Sequence, residues 1–314
     1  MKAKRMSRIA AVLLLLLSLF GCTKRELPPS AAESVPAPTA AVTPTMPPMI
    51  EVTDSVGETL LLPRSKVLTP FAEQLEAKRV RALASGAYYD GEDWNLRWGV
   101  DVSAYQGDID WQQVAESGVE FAFIRCGWRG YGAEGTLHED ECFRQNIEGA
   151  QAAGLEVGVY FFSQATNTPE AAEEARFTVQ LLEPYDITLP VYFDWERQYA
   201  DDSRTLHTSG TAMVDCCEEF SRSIETAGYT AGVYFNLDDA YYEYDLDRFA
   251  DLKIWVADPN VSRPRYYYAH EMWQYSFDGK VPGIDHYVDL NVLYVPAEQI
   301  ASAPQENQQL QREG

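Results

Sequence analysis

Leu189-Pro-Val-Tyr-Phe-Asp-Trp-Glu196 divides cleanly into two sets of residues. Val191, Phe193 and Trp195 alternate with Tyr192, Asp194 and Glu196, and a period of two sends the sets to opposite faces of a strand. One face is apolar; the other ends in two carboxylates. The same division recurs along the chain. Val100 and Val102 oppose Gly99, Asp101 and Ser103. Val157, Val159 and Phe161 oppose Gly158, Tyr160 and Phe162. Val233 and Phe235 oppose Gly232, Tyr234 and Asn236, while Val288, Leu290 and Val292 oppose Asp289 and Asn291. Strand-like runs cover residues 99–103, 121–127, 156–164, 189–196, 231–236, 252–258, 271–276 and 288–294.

Helical patterns separate the early runs. Residues 110–117 follow the first, and 139–153 follow the second and stop at Gly154, a natural residue after a helix end. Thr168-Pro169 reads as N-cap and first turn of a third helix. Residues 209–227 carry Met213, Cys217, Phe220 and Ile224 on one stripe. Strand–helix alternation predicts an α/β fold with a parallel sheet. A shared small, polar and acidic face on so many strands fits the interior of a closed barrel, which an open doubly wound sheet lacks. The gaps 259–270 and 277–287 lack helical periodicity, although a parallel crossover normally needs a helix. The expectation is therefore an irregular TIM-like β/α barrel with late helices short or missing, and a seventh or eighth strand running antiparallel.

The ends of the chain read differently. Lys2, Lys4, Arg5 and Arg8 precede an apolar run from Ala10 to Phe20, then Gly21-Cys22, which reads as a bacterial export signal. A small residue before Cys resembles a lipoprotein signal, so residues 1–22 are expected to end at a lipidated Cys22, giving an exported, membrane-anchored chain facing the cell wall; a plainly secreted chain is the alternative. Residues 23–50 are rich in Pro, Ala and Thr and read as a disordered tether. Residues 51–97 form a small extension, with a short strand expected near 58–62 and a helix over 70–84. The barrel is placed at 98–297 and a polar tail at 298–314. With 25 basic and 48 acidic residues, the net charge of −23 argues against nucleic acid as a partner. Cys126, Cys142, Cys216 and Cys217 fit no zinc spacing, and four scattered His show no ligand pattern, so neither a metal nor a cofactor is expected. A monomer is the default.

Acids cluster where the strands end: Asp101, Asp194, Glu196 and Asp289. In a barrel the C-terminal rim holds the active site. The first and eighth strands are neighbours on closure, which brings Asp101 toward Asp289. Carboxyl groups sharing one cavity cannot all ionise, so at least one is expected to keep its proton near neutral pH. A protonated carboxyl beside an ionised one is the equipment of glycoside hydrolysis. Tyr160, Tyr234 and Trp255 face inward by parity and are candidates for stacking on sugars, with Gln274 for polar groups. Arg125 also points inward, to meet either the acids or a substrate carboxylate.

Gly99-Val-Asp101-Val-Ser103-x-x-Gln106-Gly107, Ile109-Asp110-Trp111, Phe121-Ala-Phe-Ile-Arg125, Gly158-Val-Tyr160-Phe-Phe, Phe193-Asp194-Trp-Glu196, Trp273-Gln274-Tyr275-Ser276 and Val288-Asp289-Leu-Asn291 occur in this order. Together they resemble glycoside hydrolase family 25, the Ch-type lysozymes, over residues 98–295. Cys126 stands where that family often has Ala. The resemblance implies an irregular β/α barrel that cleaves the β-1,4 bond between N-acetylmuramic acid and N-acetylglucosamine in peptidoglycan strands. It implies Glu196 as general acid and Asp194 as stabiliser of the charge developing at the sugar, with the substrate's N-acetyl group as internal nucleophile one route. Asp101 and Asp289 would tune both. A chitinase-like hydrolase and a non-catalytic wall-binding lipoprotein are the competing readings; analysis of released fragments separates them.

Overall fold

The computed structural model describes residues 47–75, 79–83 and 86–301; the segment expected to be an export signal, Cys22 and most of the expected tether lie outside them. A hairpin comes first, β1 (Met49–Thr53) paired antiparallel with β2 (Thr59–Pro63), followed by the one-turn helix α1 (Phe71–Gln74) and a second hairpin, β3 (Val80–Leu83) with β4 (Gly86–Tyr89). The barrel begins with β5 (Trp94–Val102) and continues through α2 (Trp111–Glu116), β6 (Phe121–Arg129), the short β7 (Leu137–Glu139), α3 (Phe143–Ala152), β8 (Glu156–Ser163), α4 (Thr168–Leu182), β9 (Val191–Trp195), α5 (Gly210–Thr226) and β10 (Ala231–Asn236). Beyond β10 only a π turn at Asp239–Glu243 and a 3-10 turn at Leu246–Phe249 precede β11 (Lys253–Ala257); β12 (Met272–Gly279), β13 (Val288–Pro296) and α6 (Ala297–Ala301) are the last of the described elements. The strand order β5-β13-β12-β11-β10-β9-β8-β6 closes through a β5–β6 pairing, and β7 adds to the edge of β6. Every neighbouring pair in the barrel is parallel except those made by β13, which is antiparallel to both β12 and β5. The irregular barrel, its thin late helices and its reversed eighth strand are those expected.

Parity sorts the side chains as the alternation requires. Val100, Val102, Val157, Val159, Phe193 and Val233 are buried in the layer between barrel and helices, against Phe143, Ile147, Met213 and Phe220. Inside the barrel a second cluster, separate from the first, joins Phe121, Phe123, Tyr160, Tyr192, Tyr234, Trp255, Ala257 and Met272. Rings fill that interior because inward glycines on the next strand leave them room. A Cβ at Gly99 would lie 2.1 Å from the Phe121 ring, and one at Gly158 would lie 2.2 Å from Phe123. Each large apolar side chain so enclosed contributes on the order of 1.5–3 kcal/mol.

Several local boundaries differ from expectation. The N-cap of α4 is Asn167, not Thr168: Asn167 is extended and its Oδ1 accepts the Glu170 amide at 3.1 Å, leaving Thr168 in the first turn. α3 starts at Phe143 because residues 137–139 pair with the end of β6 instead. The helix expected over 70–84 is only one turn, since Val80 to Leu83 find strand partners in β4. The boundary placed at 97/98 falls inside β5, and Met49 and Ile50, placed in the tether, belong to β1.

The extension occupies the flank that lacks helices. The segment between β11 and β12, with no helix of its own, bonds to it: Phe71 N donates to Tyr267 O (2.8 Å), Ala269 N to Thr69 O (2.7 Å) and Ala82 N to Ser262 O (2.9 Å). Gln74 spans the backbone of His270, donating to its carbonyl and accepting from its amide. The buried Phe71 ring lies 4.2 Å from His270 and 5.4 Å from Tyr294 between centroids. The four cysteines among the described residues are free thiols; Cys126, Cys216 and Cys217 are buried, and burial pushes Cys126 and Cys216 up to about 12.

Candidate active site

The antiparallel register of β13 against β5 sets Asp289 directly opposite Asp101, and that of β12 against β13 sets Gln274 opposite Asn291. These four side chains form one network. Gln274 Nε2 donates to Asp101 Oδ2 (2.8 Å) and Asp289 Oδ2 (3.3 Å), and Asn291 Nδ2 donates to the same Asp101 oxygen (2.7 Å). Gln274 accepts from Tyr234 OH at 2.8 Å, and Asn291 accepts from Trp255 Nε1 at 2.9 Å. Asp194 sits on β9 between Phe162 of β8 and Tyr234 of β10.

Glu196 lies just past β9, where the chain is pinned from behind. Gln164, fully buried, donates to the Glu196 carbonyl at 2.8 Å and accepts from Thr205 Oγ1 at 3.0 Å. Trp195 Nε1 donates to Ala165 O, and Arg197 Nη1 donates to the carbonyls of Thr205, Leu206 and Thr208. The adjacent residues thus hold the backbone while Glu196 lines a cleft of about 480 Å³ with Tyr234, Asp239, Tyr199, Phe277 and Ser55.

Burial dominates the electrostatics. It raises Glu196 to about 7, helped by the charges of Asp239 and Asp101. It raises Asp289 to about 8, helped by Asp101 and Glu196, and lifts Asp101 to about 6 against the hydrogen bonds from Asn291 and Gln274. Asp194 is driven well above the carboxylate range by burial, then by Glu196 and Asp101, with Arg125 opposing. Its Oδ1 is buried without a hydrogen-bond partner. Four carboxyl groups that perturb one another titrate as a set and keep protons at neutral pH. The site thus contains the two states that acid-assisted glycoside cleavage requires: a carboxyl able to donate and a carboxylate held nearby.

All four acids come together; the expected sugar contacts fare differently. Trp255 is 2% exposed, with Phe123, Tyr192, Tyr160 and Tyr234 packed around its ring, so it fills the barrel and offers no stacking face. Gln274 has both ends of its amide occupied and supports the acids rather than meeting a sugar. Arg125 is paired with the buried Asp140, Nη2 to Oδ2 at 2.7 Å, and reaches Asp194 only as a field. Tyr160 is buried at the floor, while buried Tyr234 does line the cleft. The exposed rings there are Tyr199 (77%) and Phe277 (46%), which strand parity does not reveal because Tyr199 lies in the loop after β9 and Phe277 lies beyond the alternating run expected at 271–276. Asp239 was also overlooked; it is placed by Asn236, whose Oδ1 accepts the Asp239 amide and whose Nδ2 donates to its carboxylate. The spacing Asn236-x-x-Asp239 was its sequence signal. Among the described residues no group of three or more His, Cys, Asp or Glu is arranged to hold a metal ion.

Comparison with known proteins bears on this geometry. The autolytic lysozyme of Clostridium acetobutylicum is 28% identical over 194 residues, covering 62% of this chain and 54% of that protein. Lysozyme M1 of Streptomyces globisporus is 28% identical over 204 residues, covering 62% of this chain and 66% of its own length. The chain thus spans less than two thirds of either relative. A family 25 glycosyl hydrolase structure from Bacillus anthracis superposes with a TM-score of 0.54 at 25% identity, covering 65% of this chain and 91% of the other. The family model for glycosyl hydrolases family 25 matches residues 100–284, a span that includes Asp101, Asp194 and Glu196. With its barrel, reversed last strand and acid-lined mouth, the chain belongs to glycosyl hydrolases family 25.

Proposed function

We propose that this protein is a lysozyme, an N-acetylmuramidase that hydrolyses the β-1,4 bond between N-acetylmuramic acid and N-acetylglucosamine in bacterial peptidoglycan. The observation that carries the reading is the position of Glu196: a carboxyl that retains its proton to about pH 7, facing a cleft, with Asp194 on the same face of the chain two residues earlier. Glu196 acts as general acid, protonating the glycosidic oxygen as the bond to the anomeric carbon breaks. Positive charge then develops on the sugar ring. That charge offsets the repulsion and desolvation that raise Asp194, so the Asp194 carboxylate is favoured at the transition state more than in the empty site. Its unpartnered Oδ1 is free to orient the substrate's N-acetyl group. Asp101 and Asp289 tune these protonation states and hold the sugar.

Glu196→Gln tests the assignment. It is expected to slow the clearing of cell-wall suspensions by about a thousandfold, within the range for loss of a general acid, and near-normal clearing would refute it. Mass spectrometry of wild-type products should find muramic acid at the new reducing ends. We further propose that the chain is exported and held at the membrane by a lipid on Cys22, so that labelled fatty acid incorporation disappears in Cys22→Ala.

A further inference from the structure

We infer that the turn of the N-terminal hairpin is a wall of the glycan cleft and selects long strands over short ones. This rests on the muramidase reading and names a determinant outside the family domain, which begins at residue 100. Ser55, in the turn between β1 and β2, lines the same cleft as Glu196, Tyr199 and Phe277.

The turn is fixed to the rim by contacts that span most of the chain. Ser55 donates through its amide to Asp238 Oδ1 (3.0 Å) and through its hydroxyl to Oδ2 (2.5 Å), 183 positions away. Tyr242 OH donates to Asp54 Oδ2 at 2.8 Å. Arg265 joins the turn to the end of β11: its guanidinium pairs with the buried Asp258 and donates to the carbonyls of Asp54 (2.9 Å) and Ser55 (3.4 Å). Within the turn, Asp54 Oδ1 accepts the amides of Val56 and Glu58. Below it, Ile50 and Val52 are buried in the main core.

A polar turn with its own internal bonds and three separate anchors to the loops after β10 and β11 is a built part of the rim. Ser55 is its point of contact with the cleft, and its hydroxyl, already donating to Asp238, keeps lone pairs that can accept from the hydroxyls of an amino-sugar strand. Glu196 and Asp194 serve the bond being cut, whereas the turn meets sugars further along. It therefore contributes to binding only when the strand is long enough to reach it.

The test compares affinities in a Glu196→Gln background, where the glycan is bound without being cut. Soluble glycan strands and the single disaccharide repeat are titrated calorimetrically against that protein and against versions carrying Asp54→Ala or Tyr242→Phe. Neither of these residues lines the cleft; each acts by releasing the turn. Asp54→Ala should weaken binding of long strands by about tenfold, the effect of losing one good contact, and Tyr242→Phe should weaken it less. Disaccharide affinity should not change. Equal losses for both lengths, or no loss for long strands in a variant with intact thermal unfolding, would overturn the inference, and Tyr242→Phe decides the matter if Asp54→Ala does not fold. Binding without cleavage by the wild-type chain would sink the muramidase reading alone; failure to bind glycan of any length would sink both.

Discussion

Replacing Glu196 by Gln keeps the size of the side chain and removes its charge, so the variant reports the energetic strain of the site separately from its chemistry. In the native protein burial and the neighbouring Asp239 and Asp101 lift Glu196 from 4.5 to about 7. The folded state therefore holds this proton more tightly than the unfolded chain does. Stability linked to that proton is complete below the ordinary value of 4.5 and is lost as pH rises through about 7. The full difference corresponds to about 3 kcal/mol at alkaline pH. Gln carries no such penalty. The variant should match the wild type at roughly pH 4 and melt roughly 6–12 °C higher at roughly pH 9, on the usual relation between free energy and melting temperature for a domain of this size. Thermal unfolding followed by circular dichroism across that range is the measurement. A variant that melts at or below the wild type under alkaline conditions, or a gap independent of pH, would refute the claim that burial, helped by the neighbouring acids, penalises the Glu196 charge. The outcome expected is a more stable and inactive protein, as when a strained active site is relaxed.

The same proton sets the alkaline limit of catalysis: wall-clearing rates should fall as pH rises through about 7, with the limb read from kcat/KM against pH. Gln274→Leu removes a hydrogen bond that favours the Asp101 carboxylate, so Asp101 should climb above its value of about 6 and kcat/KM should fall by about tenfold or more with its acid limb moved to higher pH. Phe71→Ala should cost about 3–5 kcal/mol in urea unfolding, because the ring is buried against the barrel. Starting the chain at residue 98 should abolish cooperative unfolding altogether, since it removes half of β5 and the cover over the late strands.

Sequence alternation carried a great deal of this structure. A period of two says which side of a strand Asp101, Asp194 and Asp289 take, and the same division on five of the eight strand-like runs leaves a barrel as the arrangement that gives the polar sides a common interior. The missing periodicity at 259–270 and 277–287 foretold the thin flank and the reversed β13 for the same local reason. Exposure within the barrel was not legible. Trp255 and Tyr234 share an inward parity and are register partners on neighbouring strands, yet one is sealed among rings and the other reaches the cleft, because exposure depends on which side chains pack around each ring. The partner of Arg125 was hidden too. Cys126 interrupts the register between β6 and β8, and Asp140 arrives from a loop that carries no alternation. Caps turned on a single residue, as at Asn167. Contacts such as Ser55 with Asp238 join surfaces that have no pattern in common, and only the folded chain brings them together.

The seam between β5 and β13 also orders events in time. It runs from Asp289 opposite Asp101 to Pro296 opposite Trp94, joining the first barrel strand to the last. A ribosome emits the N-terminal side of that seam long before its partner exists, and contacts so distant in sequence form slowly even in a finished chain. Until residue 296 emerges, β5 lacks its antiparallel neighbour and the cylinder stays unsealed. A barrel whose last strand locks the rest stays open until that strand emerges, and a nonsense codon anywhere before residue 288 leaves Asp101 without the strand that carries Asp289 and Asn291.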